Sequence, residues 1–234
     1  MKSKGSSHSK IRVAILDDHQ SAVDSYTLRL AANKNIQVVG SAMYGNELDE
    51  LLKNKKIDVL LLDIHVPNSE EDRGPYPVIY LLPRLRKAYP AMSILIVSMH
   101  DQRNLVKALL EAGASGYILK EDREAIIHLA EAVALVSTGG VYLSSKLRGL
   151  LSGSAEGGLL SRRQREALSL AAAYPNISTE EIGKRMNIAA STVRNLLSKA
   201  YKRLNVRNRS AATEQARKLG LISPFTDPSS AKPT

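Results

Sequence analysis

Five residues with useful chemistry fall where short apolar runs end. Asp17 and Asp18 follow the first run and Asp63 follows the third. Ser98 ends the fourth, and Lys120 follows the fifth. In open parallel α/β sheets, sites form outside the carboxyl ends of the strands. Three carboxylates, a hydroxyl and an ammonium would therefore converge on one rim. Clustered carboxylates raise one another's pKa unless a cation joins them. All-oxygen ligation suits a hard ion such as Mg²⁺, which takes one or two carboxylates, waters and a phosphate. A carboxylate beside such an ion can attack phosphorus and form an acyl phosphate. Ser98 and Lys120 would then take the remaining phosphoryl oxygens. Each residue alone has a plainer reading, as a turn aspartate, a helix cap or a solvated lysine. Their coincidence at strand ends points to a site.

The elements that must position them are legible between residues 11 and 138. Short β-branched runs at 12–16, 36–40, 59–62, 93–97 and 116–119 suit buried strands and are too short for helices. Segments with helical spacing separate them, for example Leu105, Leu109 and Leu110, or Ile126, Ile127, Leu129, Ala130 and Val133. Five strands alternating with five helices predict a parallel sheet covered on both faces, with right-handed crossovers. Residues 139–158 hold six glycines and four serines and read as a linker with a flexible core. From Leu160 the strand signal stops. Helices are predicted over 162–174, 180–186, 190–204 and 210–219, with Ser161 and Thr179 as N-caps and Gly220 as a C-cap. The polar residues before Ile11 and the Pro- and Ser-rich ones after Ile222 read as tails.

Charge separates the two halves. Residues 1–158 carry 19 basic and 18 acidic side chains, whereas residues 159–222 carry 13 basic and 4 acidic. A polyanion would offset that local repulsion, and nucleic acid is the leading candidate. Within the basic stretch, residues 179–198 have helix–turn–helix form. Ile182 and Met186 share one face of the first helix, Ile188 fills the turn, and Val193, Leu196, Leu197 and Leu204 face inward on the second. Ser191, Thr192, Arg194, Asn195, Ser198, Lys199 and Lys202 are left outward, with Thr179 at the start of the first helix as a further DNA contact. A major groove admits such a helix, where Arg and Asn can bond guanine and adenine while the hydroxyls and lysines position phosphates.

Two resemblances rest on these residues. Leu16-Asp17-Asp18-His19, Leu62-Asp63-Ile64-His65-Val66-Pro67, Ser98-Met99-His100 and the run from Gly113 to Lys120 resemble response-regulator receiver domains. The resemblance implies a flavodoxin-like fold of five parallel strands in the order 2-1-3-4-5. It implies phosphorylation of Asp63 by a sensor histidine kinase. Mg²⁺ would be held by Asp17, Asp18, Asp63 and the main-chain carbonyl of His65. Ser98 and Lys120 would bind the phosphoryl group, and Tyr117 would be the switch aromatic. Leu160 to Leu168, Glu181-Ile182, Ser191 to Asn195 and Arg203 to Arg209 resemble the small all-α, four-helix LuxR/NarL-type DNA-binding domain, with Asn205 where a glycine is common. The order of the two modules is that of NarL/FixJ-type response regulators. One departure stands out. Residues 68–77, acidic at Glu70, Glu71 and Asp72, make a longer loop than the family's short turn. It could be a tolerated insertion or could alter kinase docking, metal affinity or phosphate lifetime.

The expected protein is a two-domain transcription factor. Its receiver spans 11–138, its linker 139–158 and its DNA-binding domain 159–222. Phosphorylation would favour a homodimer on double-stranded DNA. The alternative is a phosphorylation-independent regulator whose receiver serves for dimerisation or protein interaction. A phosphohydrolase is disfavoured, because no acid stands two residues after Asp63. The absence of cysteine excludes disulfides and thiolate metal sites and fits a reducing, cytoplasmic setting. No apolar run is long enough for a membrane span, and the N-terminus lacks a secretory signal.

Overall fold

The computed structural model describes residues 9–151 and 159–224. The tails expected at either end and the Ser/Gly run at 152–158 lie outside the described residues, apart from a few residues at the inner edge of each tail.

The first module alternates strand and helix: β1 (Ile11–Leu16), α1 (Gln20–Ala31), β2 (Ile36–Ala42), α2 (Gly45–Asn54), β3 (Val59–Leu62), α3 (Val78–Ala88), β4 (Ser93–Ser98), α4 (Arg103–Ala112) and β5 (Gly116–Leu119). The inner strands read as unbroken apolar runs because helices cover both faces; β3, β4 and β5 are buried throughout. One apolar layer joins Val13, Ile15, Leu61, Leu95, Val97 and Ile118 to the helices on their side. The alternate residues Ala14, Leu16, Leu60, Leu62, Ile94 and Ile96 point to the opposite layer.

Two details differ from expectation. The single helix predicted around Ile126–Val133 is two, α5 (Arg123–Ile127) and α6 (Leu129–Ser137), which meet at His128. The sheet has six parallel strands rather than five, in the order β2-β1-β3-β4-β5-β6. The sixth, β6 (Tyr142–Leu143), pairs with Gly116 and Tyr117. It falls in the stretch read as linker, as does α7 (Ser145–Leu151), whose Leu147 is buried.

The second module is helical: α8 (Arg162–Ala173), α9 (Thr179–Met186), α10 (Ala190–Arg203) and α11 (Arg209–Lys218). Ser161 caps α8 as expected and forms a capping box with Gln164. The cap of α9 is Ser178, not Thr179; Thr179 is the first helical residue, and Glu181 completes the box. Either hydroxyl could accept the N–H, and the residue with extended backbone (Ser178, ψ 161°) does so. Asn187 ends α9 and Asn205 follows α10, both with left-handed backbone at φ 54° and 55°. Val193, Leu197 and Ala200 hold α10 against the core, and Ile182 and Met186 hold α9.

Gly183 fixes the angle between α9 and α10. A Cβ there would lie 2.7 Å from the Ile188 carbonyl oxygen, so only glycine lets the turn pass this close. Gly183→Val should therefore destabilise the second module by about 1–3 kcal/mol, the usual scale of overpacking. Urea unfolding followed by circular dichroism would measure it, and an unchanged midpoint would contradict this packing argument.

Candidate phosphoacceptor pocket and nucleic-acid interface

The sheet order brings the predicted residues together. β1 and β3 are neighbours, so Asp17 and Asp63 emerge side by side, and the Asp63 N–H donates to the Leu16 carbonyl at 2.8 Å. β5 lies two strands from β3, and the long Lys120 side chain spans that gap. Its Nζ donates to Asp17 Oδ2 and Asp63 Oδ2, both at 2.7 Å. Asp17 and Asp63 are almost wholly buried, at 1% and 4% exposure, and Ser98 is fully buried. Asp18 is more open and pairs with His19 Nδ1 at 2.8 Å.

Electrostatics follow from that geometry. Burial, with Asp63 nearby, pushes the Asp17 carboxyl above its ordinary range, and Lys120 only partly opposes it. Burial also disfavours the charge on Lys120, yet Asp63 and Asp17 hold its pKa above the usual lysine value. Three carboxylates against one ammonium leave the rim negative. Among the described residues, Asp17, Asp18 and His19 place ligand atoms within 4.8 Å of one another. The rim is oxygen-rich and only partly neutralised, so its donor set fits a hard divalent cation. Asp63 lies outside that group of three and joins the pocket through Lys120.

The remaining pocket residues are also placed. The His65 N–H donates to Asp63 Oδ1 at 3.1 Å, and its ring meets His100 edge-on with centroids 6.1 Å apart. Ser98 Oγ accepts from the His100 N–H at 3.3 Å. Tyr117 is completely buried, and its hydroxyl donates to the His100 carbonyl at 2.6 Å. Burial raises the pKa of that phenol, so it stays a donor at neutral pH. Sequence reasoning missed Ser144. Its Oγ accepts from the Leu119 N–H and its own N–H donates to the Tyr117 carbonyl, both at 3.0 Å, which fixes the backbone between Tyr117 and Lys120. A serine inside a Gly/Ser-rich stretch carries no signal of such a role.

On the second module, Ser191, Thr192, Arg194, Asn195, Ser198, Lys199 and Lys202 are all exposed on α10. Thr179 stands apart from them; it is half-buried on α9 and its hydroxyl bonds Glu180. Arg194 pairs with Glu180 at 3.3 Å across exposed surface, a contact that DNA could displace at little cost. Ile188 and Leu196 are half-buried against the core, and Leu204 is buried.

The raised Asp17 pKa has a consequence for stability. Below the unfolded-state pKa the carboxyl is neutral in both states and costs nothing. The cost grows as pH rises from there through the raised native pKa, and it is complete above it. Asp17→Asn should therefore raise the thermal midpoint at neutral pH, with the gain shrinking toward zero below the ordinary carboxylate range. Melting curves across a pH series would test the sign, and a lower midpoint at neutral pH would refute it.

Comparisons with known proteins agree with this geometry. Residues 13–131 match the response regulator receiver domain, and residues 158–216 match the bacterial regulatory proteins of the luxR family. The transcriptional regulatory protein DegU of Brevibacillus brevis is 31% identical over 91% of this chain and 95% of its own length. The probable transcriptional regulatory protein NarL of Mycobacterium tuberculosis is 29% identical over 91% of this chain and 96% of its own. Among solved structures, the Salmonella typhimurium RcsB response regulator superposes with a TM-score of 0.56 at 25% identity, covering 88% of this chain and 98% of that one. With one module holding the strand-end pocket and the other the helix–turn–helix, this chain belongs to the NarL/FixJ-type response regulators, transcription regulators rather than enzymes, in which a receiver is joined to a LuxR-type DNA-binding domain.

Proposed function

We propose that Asp63 is the phosphoacceptor and that its modification by a sensor histidine kinase controls how the second module engages double-stranded DNA. The observation that carries this is the pocket in which Asp63, Asp17 and the Lys120 ammonium meet at 2.7 Å with Asp18 alongside. An Asp63 oxygen would attack the phosphorus of a phosphohistidine, forming the acyl phosphate as the imidazole nitrogen leaves. Mg²⁺, held by Asp17, Asp18, Asp63 and the His65 main-chain carbonyl, would offset the phosphoryl charge when bound. Lys120 would turn from the carboxylates to a phosphoryl oxygen, and the Ser98 hydroxyl would bond another. Tyr117, beside Ser98, would read that change.

On the DNA side, Arg194 and Asn195 would contact base edges, while Thr179, Ser191, Thr192, Ser198, Lys199 and Lys202 would position the phosphate backbone. Two copies would occupy half-sites as a homodimer. The receiver, expected over 11–138, takes up β6 and α7 from the 139–158 stretch, and 159–222 is the DNA-binding unit. This reading places the protein in the cytoplasm, where DNA and kinase both reach it. Among the described residues, no helix is long and apolar enough to cross a membrane.

Labelled acetyl phosphate should modify the wild type in the presence of Mg²⁺, and both EDTA and Asp63→Asn should abolish the label. Undiminished labelling of Asp63→Asn would move the site elsewhere. Arg194→Ala should weaken a selected binding site by about 1–3 kcal/mol and relax preference at one base pair. An equal loss on every sequence would instead make Arg194 a phosphate contact.

A further inference from the structure

The seam between the modules has a regular construction. Each α-helix leaves its last carbonyls without partners inside the helix. In the second module three helices have such a carbonyl bonded by a receiver side chain. At the end of α8, the Ala173 carbonyl accepts from Asn68 Nδ2 at 3.4 Å. In the last turn of α9, the Arg185 carbonyl accepts from the Tyr80 hydroxyl at 2.5 Å and from Arg84 Nη2 at 3.3 Å. Just past α11, the Leu219 carbonyl accepts from Asn104 Nδ2 at 3.1 Å. The remaining helix is α10, whose outward residues stay exposed.

The long loop at 68–77 supplies the first of these caps, and it is built to hold its shape. Pro67 and Pro75 form a bridge at its base, the Asn68 N–H donates to the Gly74 carbonyl, and the Tyr76 N–H donates to the Val66 carbonyl. Asp72 turns its charge inward on the loop, accepting from Asn68 Nδ2 and from the Gly74 N–H, both at 2.9 Å. Gly74 then approaches α8 so closely that a Cβ would lie 2.5 Å from the Ala173 oxygen. An ion pair at the edge of the seam reinforces it, with buried Arg165 of α8 donating to the exposed Glu111 of α4 at 2.7 Å. The apolar layer that includes α3 and α4 also continues into Leu160, Leu168 and Ile182.

We infer that loop 68–77, α3 and the start of α4 form a docking platform that caps three helix ends of the DNA-binding module, fixing its orientation on the receiver while leaving the face of α10 open. The platform restrains direction rather than access. Such a chain can touch DNA while its two modules are docked, but it presents α10 only at the angle the platform sets. The inference rests on the proposed function solely in taking α10 as the DNA-reading helix.

The chain has no cysteine, so Asp24→Cys and Glu214→Cys add one spin label to an exposed site on each module of the full-length protein. Pulsed dipolar spectroscopy of the unphosphorylated protein should give one narrow distance. Adding Gly74→Ala, Tyr80→Phe and Asn104→Ala should at least double the width of that distribution. Affinity for a mixed-sequence duplex of 12 base pairs at low salt should stay within twofold. Gly74→Ala alone, a change confined to the loop, should broaden the distance in the same direction and guards against a folding defect in the combined variant. A width unchanged in both variants overturns the docking platform. Duplex affinity rising more than fivefold overturns the open face, because the seam would then be screening α10. If no version binds the duplex, the assignment of α10 as DNA reader fails, whereas the distances still decide the platform.

Discussion

The pocket depends on one ammonium placed between two buried carboxylates. Asp17 and Asp63 are held at a distance where unshielded negative charges would repel strongly, in a setting that excludes most water. Lys120 resolves that conflict with two contacts of 2.7 Å. Removing the ammonium would leave two buried carboxylates uncompensated, which typically costs several kcal/mol, whereas neutralising Asp17 leaves Lys120 paired with Asp63. The topology accounts for the residue types. Short aspartates suffice on the adjacent strands β1 and β3, a small buried serine ends β4 between, and only a side chain as long as lysine reaches across from β5. The same charge distribution leaves room for a divalent cation, so the resting pocket is already arranged around the charges that modification would redistribute.

The pocket was legible in the sequence because buried parallel strands announce themselves as apolar runs and the reactive residues stand at their ends. Asp17, Asp18, Asp63, Ser98 and Lys120 could be placed on one rim from this alone. The exposed face of α10 was legible for a similar reason, since helical spacing separates buried Val193 and Leu197 from exposed Arg194 and Asn195. Other features had no such signal. β6 is two half-buried residues after a glycine pair, too short for any period to show. The exchange of Thr179 for Ser178 as the cap turns on one backbone angle between two adjacent hydroxyl residues. The contacts between modules use main-chain carbonyls, which every residue carries, so composition cannot reveal which of them a distant asparagine or tyrosine will find.

The two modules are distinct in charge but not in packing. Apolar side chains from Leu82 and Leu105 on the receiver belong to the same buried cluster as Leu168 and Met186 on the helical module. Interfaces between domains are usually more polar than this and permit relative motion by default. Here a shared apolar layer is combined with a half-exposed arginine–carboxylate pair and side-chain bonds to helix ends. The bond from Asn68 Nδ2 to the Ala173 carbonyl is buried, so a slip there would leave that carbonyl unbonded and away from water.

The strand and helix that follow α6 also change how far the second module can travel. With β6 on the sheet and α7 packed beside α4, the receiver continues to Leu151. The chain from Leu151 to Leu159 then joins the modules, and its eight steps can span at most roughly 26–29 Å at about 3.3–3.6 Å per residue. That radius falls short of one turn of duplex DNA, roughly 34–36 Å. An undocked second module must therefore stay close to its own receiver, so in a dimer of the proposed kind the spacing between the two α10 helices would be governed by how the receivers sit together.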